Sequence, residues 1–331
     1  MELHPSIIRA GVMRGWVALF FLMGLAALAR PQTDPPAAPF QVEPYKISVS
    51  VDSVVLVATV LNHKGAPVSG LGKEDFEVYE DGALQQITFY SHEDIPVTVG
   101  LVVDNSGSMR LKRAEVNAAA LAFVRSSNAL DQMFVVHFNE HVSFGLPADM
   151  PFTDQPGQLQ VALARIKADG QTALYDAVGA ALEHLKQGDR DKKVLIVASD
   201  GGDNSSKLTL DQVLAMARKS DAIIYTIDIY DEDDQERNPT ALKRLSKATG
   251  GETFRVEALP EVVPICERIA RDIRSQYTLA YTSTNRAQDG KYRAIQVKGR
   301  GPGRLAVRTR EGYYAYPKPL PALVGSQTHH P

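Results

Sequence analysis

Cysteine is almost missing from this chain: Cys266 is the only one in 331 residues. No internal disulfide can form, so stability has to come from non-covalent contacts. The setting of Cys266, after Val262, Val263 and Ile265, is that of a buried, inert thiol in an apolar helix. A charge excess is lacking too. With 36 basic against 39 acidic residues the net charge is −3, which supplies neither the basic field that draws nucleic acid nor an acidic tail. Nucleic acid is not an expected partner. The apolar run at residues 16–29 falls short of the roughly 20 residues of a membrane-spanning helix, and no cysteine follows it to carry a lipid. There is no nucleophile elbow of the GxSxG type. The glycine-rich stretch 298–304 has no Walker lysine pattern, and the acidic run Asp231-Glu232-Asp233-Asp234 lacks the glycine and distal glutamate of a calcium loop. The first is a turn and the second a solvated loop.

What is present divides the chain into six parts. Residues 1–29, with Arg9 and Arg14 before the apolar run and Ala27-Leu28-Ala29 at its end, have the pattern of a cleaved secretory signal. The expected mature chain is exported, periplasmic or extracellular, with no membrane span. Residues 30–44 are proline-rich and read as an extended linker. Between 45 and 94, Ile47-Val49-Val51 and Val54-Leu56-Ala58-Val60 alternate with period two, as half-buried antiparallel strands do. Phe76-Val78 and Leu84-Ile87-Phe89 flank Asp81-Gly82, a dipeptide suited to the positive φ of a tight hairpin. From 95 to 275 strand patterns alternate with helical stripes such as Leu174, Val178, Ala181 and Leu185, the mark of a parallel sheet covered on both faces. Residues 276–316 return to β, with strands at Tyr277-Leu279-Tyr281, Tyr292-Ala294-Ile295-Val297 and Leu305-Val307. Half-sheets this small are marginal alone, so the two β segments are expected to share one sandwich into which the α/β unit is inserted. Residues 317–331 read as a disordered tail.

Residues 97–109 read VTVGLVVDNSGSM, a buried-strand pattern that breaks into small polar residues. Asp104, Ser106 and Ser108 bring a carboxylate and two hydroxyls to one turn, and Gly107 lets the backbone fold between them. Hard divalent cations take such oxygens, and Mg²⁺ retains waters in its octahedral shell. Alone, the turn reads more simply as a helix cap. Two later stretches change this. Thr172 in GQTALYD opens a helix, and Val194-Leu195-Ile196-Val197 runs as a buried strand into Ser199-Asp200-Gly201-Gly202-Asp203-Asn204. If the strands are parallel neighbours, Asp104 and Asp200 emerge on one rim of the sheet, where open α/β sheets bind ligands. His137 sits in a strand pattern as a core or lining residue, while His141 and His184 read as surface positions. Asp203 reads as a turn residue.

DNSGS at 104–108, Thr172 and Asp200 together resemble the von Willebrand factor type A domain, whose metal-ion-dependent adhesion site has all five positions here. The resemblance covers about the middle half of the chain. More loosely, EDFEVYEDG at 74–82 and the segment ending Gly312-Tyr313-Tyr314-Ala315 resemble the flanks of exported bacterial proteins related to that domain. The resemblance implies a doubly wound, mostly parallel, Rossmann-like α/β sheet, here inserted in or flanked by a small antiparallel β-sandwich. It also implies that Asp104, Ser106, Ser108, Thr172 and Asp200 hold Mg²⁺, with Mn²⁺ the alternative ion. A partner protein would present an Asp or Glu to that ion. The expected function is an adhesion or assembly module and not an enzyme. Two other readings stand beside it: a metal-dependent hydrolase, against which no His or Glu accompanies the motifs as a base, and an envelope component whose ion only rigidifies the loops.

Overall fold

The computed structural model describes residues 53–165, 168–229, 237–301 and 303–316. The expected signal, linker, tail, acidic run and the strand Ile47-Val49-Val51 lie outside them.

The strand β5 (Val97–Asp104) is buried at every position, as its unbroken apolar run requires. It lies inside a six-stranded sheet, flanked by parallel neighbours β6 (Gln132–Phe138) and β8 (Lys192–Ser199). Beyond β8 come β9 (Ala222–Ile229) and β10 (Thr253–Val256), also parallel, and only β7 (Val142–Phe144) runs antiparallel, beside β6. Six helices cover the sheet in two groups. The helix α1 (Arg113–Ser126) packs against α2 (Pro156–Ala164) and α6 (Val262–Arg274), whereas α3 (Leu174–Leu185), α4 (Leu210–Lys219) and α5 (Pro239–Thr249) pack in a row. The expected stripe Leu174, Val178, Ala181 and Leu185 is buried in α3. Cys266 is buried in α6, and burial pushes its thiol up to about 12, in keeping with an inert role.

Eight short strands form two antiparallel sheets. One has the order β13-β1-β11-β4 and the other β14-β12-β2-β3, where β1 is Ser53–Leu61, β2 Phe76–Glu80, β3 Ala83–Gln85 and β4 Ile87–Ser91. The other four follow the α/β segment: β11 (Tyr277–Thr282), β12 (Tyr292–Gly299), β13 (Ala306–Arg308) and β14 (Gly312–Tyr314). Leu56 of β1 faces Leu279 of β11, and Val78 of β2 faces Val297 of β12. Leu56, Val60, Phe76, Val78, Tyr277, Leu279 and Val297 share one core, so strands from both sides of the α/β segment stabilise each other by burying the same apolar surface. Asp81 and Gly82 both have positive φ, 49° and 82°, which gives the tight β2–β3 turn its twist.

Three details differ from the sequence pattern. Leu84-Ile87-Phe89 is not one strand, because β3 and β4 belong to different sheets and the chain turns the corner between them. In β12 the inward positions are Arg293, Ile295 and Val297, with Tyr292 and Ala294 outward; Arg293 is held inside by Asp289 and the Ala287 carbonyl. And β14, a three-residue strand, is too short for alternation to reveal. Among the described residues no helix is long and apolar enough to cross a membrane.

The sandwich is tied to the α/β unit through polar contacts. Gln276 donates to Thr59 Oγ1 at 3.1 Å and to the Tyr225 hydroxyl at 3.0 Å. Arg308 of β13 pairs with Asp272 of α6 at 3.0 Å and with Glu252. Arg274, at the end of α6, reaches Asp94 in the loop before β5 and the buried Asp131, which accepts the Val97 N–H at 2.9 Å.

Inside the sandwich, the buried Glu80 accepts from the hydroxyls of Tyr281 at 2.7 Å, Ser283 at 2.5 Å and Tyr313 at 3.1 Å. A buried carboxylate that loses one donor keeps its desolvation penalty. Tyr281→Phe should therefore lower unfolding free energy by roughly 1–3 kcal/mol, measured by denaturant titration; a change within error would mean that these hydroxyls do not hold the two β segments together.

Candidate metal centre

Because β5 and β8 are parallel and adjacent, Asp104 and Asp200 leave the sheet on the same rim. Each is only 1 % exposed. Ser106 N–H donates to Asp104 Oδ1 at 2.8 Å, and Ser199 Oγ donates to Asp104 Oδ2 at 2.6 Å. Ser108 Oγ donates to Asp200 Oδ2 at 2.8 Å and lies 3.2 Å from Ser106 Oγ. Four of the five expected residues thus belong to one hydrogen-bonded cluster, joined by Ser199.

Thr172 enters through its backbone. Its N–H donates to Asn204 Oδ1 at 2.9 Å, and its carbonyl accepts from Asn204 N at 3.0 Å and Ser205 N at 3.1 Å. On the other side, Gly107 N donates to Gly170 O at 3.0 Å and Asp169 N to Asn105 O at 2.9 Å. Gly170 holds φ +82° there, a conformation that glycine adopts without steric cost. Hydrogen bonds between protein groups thus stitch together the loops after β5 and β8 and the loop before α3. Such a frame holds oxygens in place before a ligand arrives.

Burial is the main cause that pushes the Asp104 carboxyl up to about 7, and the nearby Asp200 adds to it against the hydrogen bonds from Ser106 and Ser199. Two buried carboxylates facing each other favour a cation between them. The donors are all hard oxygens, a set suited to Mg²⁺ or Mn²⁺ and poor for a thiolate-seeking metal. The residues therefore fit a divalent ion.

Several participants were hidden in the sequence. Ser199 stood in the polar stretch that follows the strand, directly before Asp200, but nothing in the sequence pointed to its contact with Asp104. Asn105 donates to the Val103 carbonyl and, at 2.8 Å, to His137 Nδ1, while Arg113 donates to its Oδ1. His137 Nε2 in turn donates to Ala162 O at 2.7 Å, and burial lowers its pKa. It is the core histidine expected of its strand. His184 is half-buried against Phe134, Phe144 and Phe152 rather than on the surface. Asp203 accepts from Tyr175 N at 3.1 Å and Ser206 Oγ at 2.6 Å, which ties its loop to the first turn of α3. A glutamate does reach the rim: Glu140, distant in sequence, accepts the Gln171 N–H at 3.0 Å.

The von Willebrand factor type A domain family matches residues 99–202. Similar solved structures include BatB of Bacteroides thetaiotaomicron, 18% identical over 54% of this chain and 100% of that one, with a TM-score of 0.42. Another is a von Willebrand factor type A protein of Catenulispora acidiphila, 12% identical over 79% of this chain and 73% of that one, at 0.49. A third is the proximal thread matrix protein 1 of the mussel byssus with a zinc-occupied MIDAS motif, 14% identical over 59% of this chain and 50% of that one, at 0.48. No curated protein matches significantly.

A carboxyl whose folded pKa is raised is neutral in both states below about pH 4, and its cost to the fold grows from there to about pH 7 and is full above. In the ion-free protein stability should fall across that window. Asp104→Asn should flatten the fall, raise the ion-free melting temperature above neutral pH by a few degrees, and abolish the gain that Mg²⁺ gives the parent. Equal Mg²⁺ gains in variant and parent, by thermal melts, would remove Asp104 from the site.

Proposed function

We propose that this chain, whose residues 99–202 form a von Willebrand factor type A domain, is an exported module that binds an acidic residue of a partner protein through a divalent cation. The observation that carries this reading is the rim itself: two buried carboxylates and their hydroxyl neighbours on loops fixed by backbone hydrogen bonds. Asp104, Ser106, Ser108, Thr172 and Asp200 would hold Mg²⁺. With few protein charges around it, such an ion keeps waters, and one of these can exchange for a carboxylate from outside. That exchange gives a charge-assisted contact, while the surrounding loops provide specificity.

A hydrolase needs a free base beside the ion. The extra carboxylates near the rim are engaged elsewhere, Asp203 at α3 and Glu140 at the Gln171 N–H, which favours binding over catalysis. Export rests on the signal-like residues 1–29. In the proposed organisation the β segments 45–94 and 276–316 form one unit that carries the α/β unit 95–275 as an insertion.

The test is binding of short peptides containing a single Asp or Glu to the full chain, with Mg²⁺ and with chelator. Binding should require Mg²⁺ and be competed by free carboxylate. Thr172→Ala should weaken it about tenfold, a loss of roughly 1.4 kcal/mol, with an unchanged melting temperature. Peptide binding that survives chelation would overturn the reading, and turnover of phosphate or ester substrates by the purified protein would replace it with the enzymatic one.

A further inference from the structure

Every carboxylate oxygen of the two rim aspartates accepts a hydrogen bond from the protein itself. Asp104 Oδ1 takes the Ser106 N–H at 2.8 Å, and its Oδ2 takes the Ser199 hydroxyl at 2.6 Å. Asp200 Oδ1 takes the Gly202 N–H at 3.1 Å, and its Oδ2 takes the Ser108 hydroxyl at 2.8 Å. The two backbone donors stand two residues after the aspartate they serve, in the local turn that an Asp commonly makes with its own backbone. Ser108 is a candidate ligand in its own right. Ser199 is neither, since it reaches Asp104 from the neighbouring strand and lies outside the five residues of the motif.

The hydroxyl of Ser199 is held in one orientation. Ser199 is fully buried at the end of β8, one position past the register pair of Val103 with Ala198, which sets it level with Asp104. Its oxygen accepts the Gly201 N–H at 3.0 Å, and its hydrogen goes to Asp104. Gly201 holds φ +85°, and a Cβ there would meet the Asn238 carbonyl oxygen at 2.5 Å, so the turn that supplies this N–H is fixed in place. A separation of 2.6 Å from hydroxyl to carboxylate is that of a charge-assisted bond.

Each pinned oxygen keeps a lone pair for an ion, but a carboxylate held by donors on two different segments cannot rotate to aim both oxygens at one ion without breaking a bond. Mg²⁺ asks for nothing more than one oxygen, because waters complete its octahedron, whereas Ca²⁺ takes six to eight oxygens and often both from one carboxylate. We infer that Ser199 sets the ion preference of the rim: by pinning Asp104 Oδ2 it keeps that carboxylate monodentate and holds the site to small octahedral cations against Ca²⁺. This role rests on the metal-dependent reading above and adds to it a residue outside the five. Ser199 is a positioning residue, acting on the ion through Asp104, and loss of such support typically costs about 10–100-fold in metal affinity.

The experiment is calorimetry of the full chain with Mg²⁺ and, separately, with Ca²⁺. The parent should bind Mg²⁺ about tenfold more tightly than Ca²⁺. Ser199→Ala should lose about tenfold in Mg²⁺ affinity while Ca²⁺ affinity holds, which brings the ratio near one. Ser199→Thr keeps the hydroxyl and should keep the parent ratio. Ser246→Ala, at another buried serine whose hydroxyl donates to the Lys243 carbonyl, controls for lost stability and should leave the ratio unmoved. If Ser199→Ala does not fold, Ser199→Cys, close in size and only a weak donor, takes its place. A parent that binds both ions equally, a ratio unchanged in Ser199→Ala or Ser199→Cys, or a ratio lost as fully in Ser199→Thr or Ser246→Ala overturns the role of Ser199, while Mg²⁺ binding by the parent keeps the metal reading intact. A parent that binds no Mg²⁺ overturns the metal reading and the role of Ser199 with it.

Discussion

The antiparallel pairing of β1 with β11 is the constraint on which the rest of the chain depends. It brings together segments whose contacts span more than 200 positions, as between Gln276 and Thr59, and so fixes both ends of the α/β unit at one place. Polar groups secure the same seam. Arg274 clamps the loop that enters β5 through Asp94 and Asp131, and Arg308 clamps α6 from the sandwich side through Asp272. The entry of β5 and the end of α6 are thereby held, and the strand ends at the opposite rim of the sheet, with the cluster of Asp104 and Asp200, are built on a supported frame.

That rim shows how a site can be assembled from a few short-range rules. Parallel neighbours put the carboxylates side by side, serines at alternate positions supply hydroxyls, and backbone hydrogen bonds between loops hold the geometry. The cost is two carboxylates taken out of water beside each other, visible in the pKa of Asp104, which burial raises first and the neighbouring Asp200 raises further. A cation bound between the carboxylates, as proposed, would offset that cost.

Much of this was legible in the sequence because it depends on local pattern. The unbroken apolar run of β5, the stripe of α3 and the Asp81-Gly82 turn each encode one element, and the serine turn, Thr172 and Asp200 fall at element ends where ligands collect. What stayed hidden depends on neighbours far away in the chain. Gln85 and Ile87 belong to different sheets because of their partners, not their own propensity. Arg293 points inward because Asp289 and a carbonyl receive it. Glu140 reaches the rim only because the β6–β7 turn lies against the loop at Gly170 and Gln171. Leu111 and Lys112 are turned out and in by the register of the helix that follows, which their own hydrophobicity would have reversed.

The pairing of β1 with β11 also orders events in time. During synthesis β1 to β4 appear first, yet the strands that complete both of their sheets come only after α6. The α/β segment is complete before then and can bury its own core through contacts within itself, so it is the part able to fold while the chain is still growing. Of the first strands only β2 and β3 can pair with each other at once; β1 and β4 must wait for their partners, with the apolar positions of Leu56, Val60 and Val78 uncovered, until the last strands close over them. Aggregation risk is therefore concentrated in the strands made before the α/β segment, although their stability is decided by those made after it.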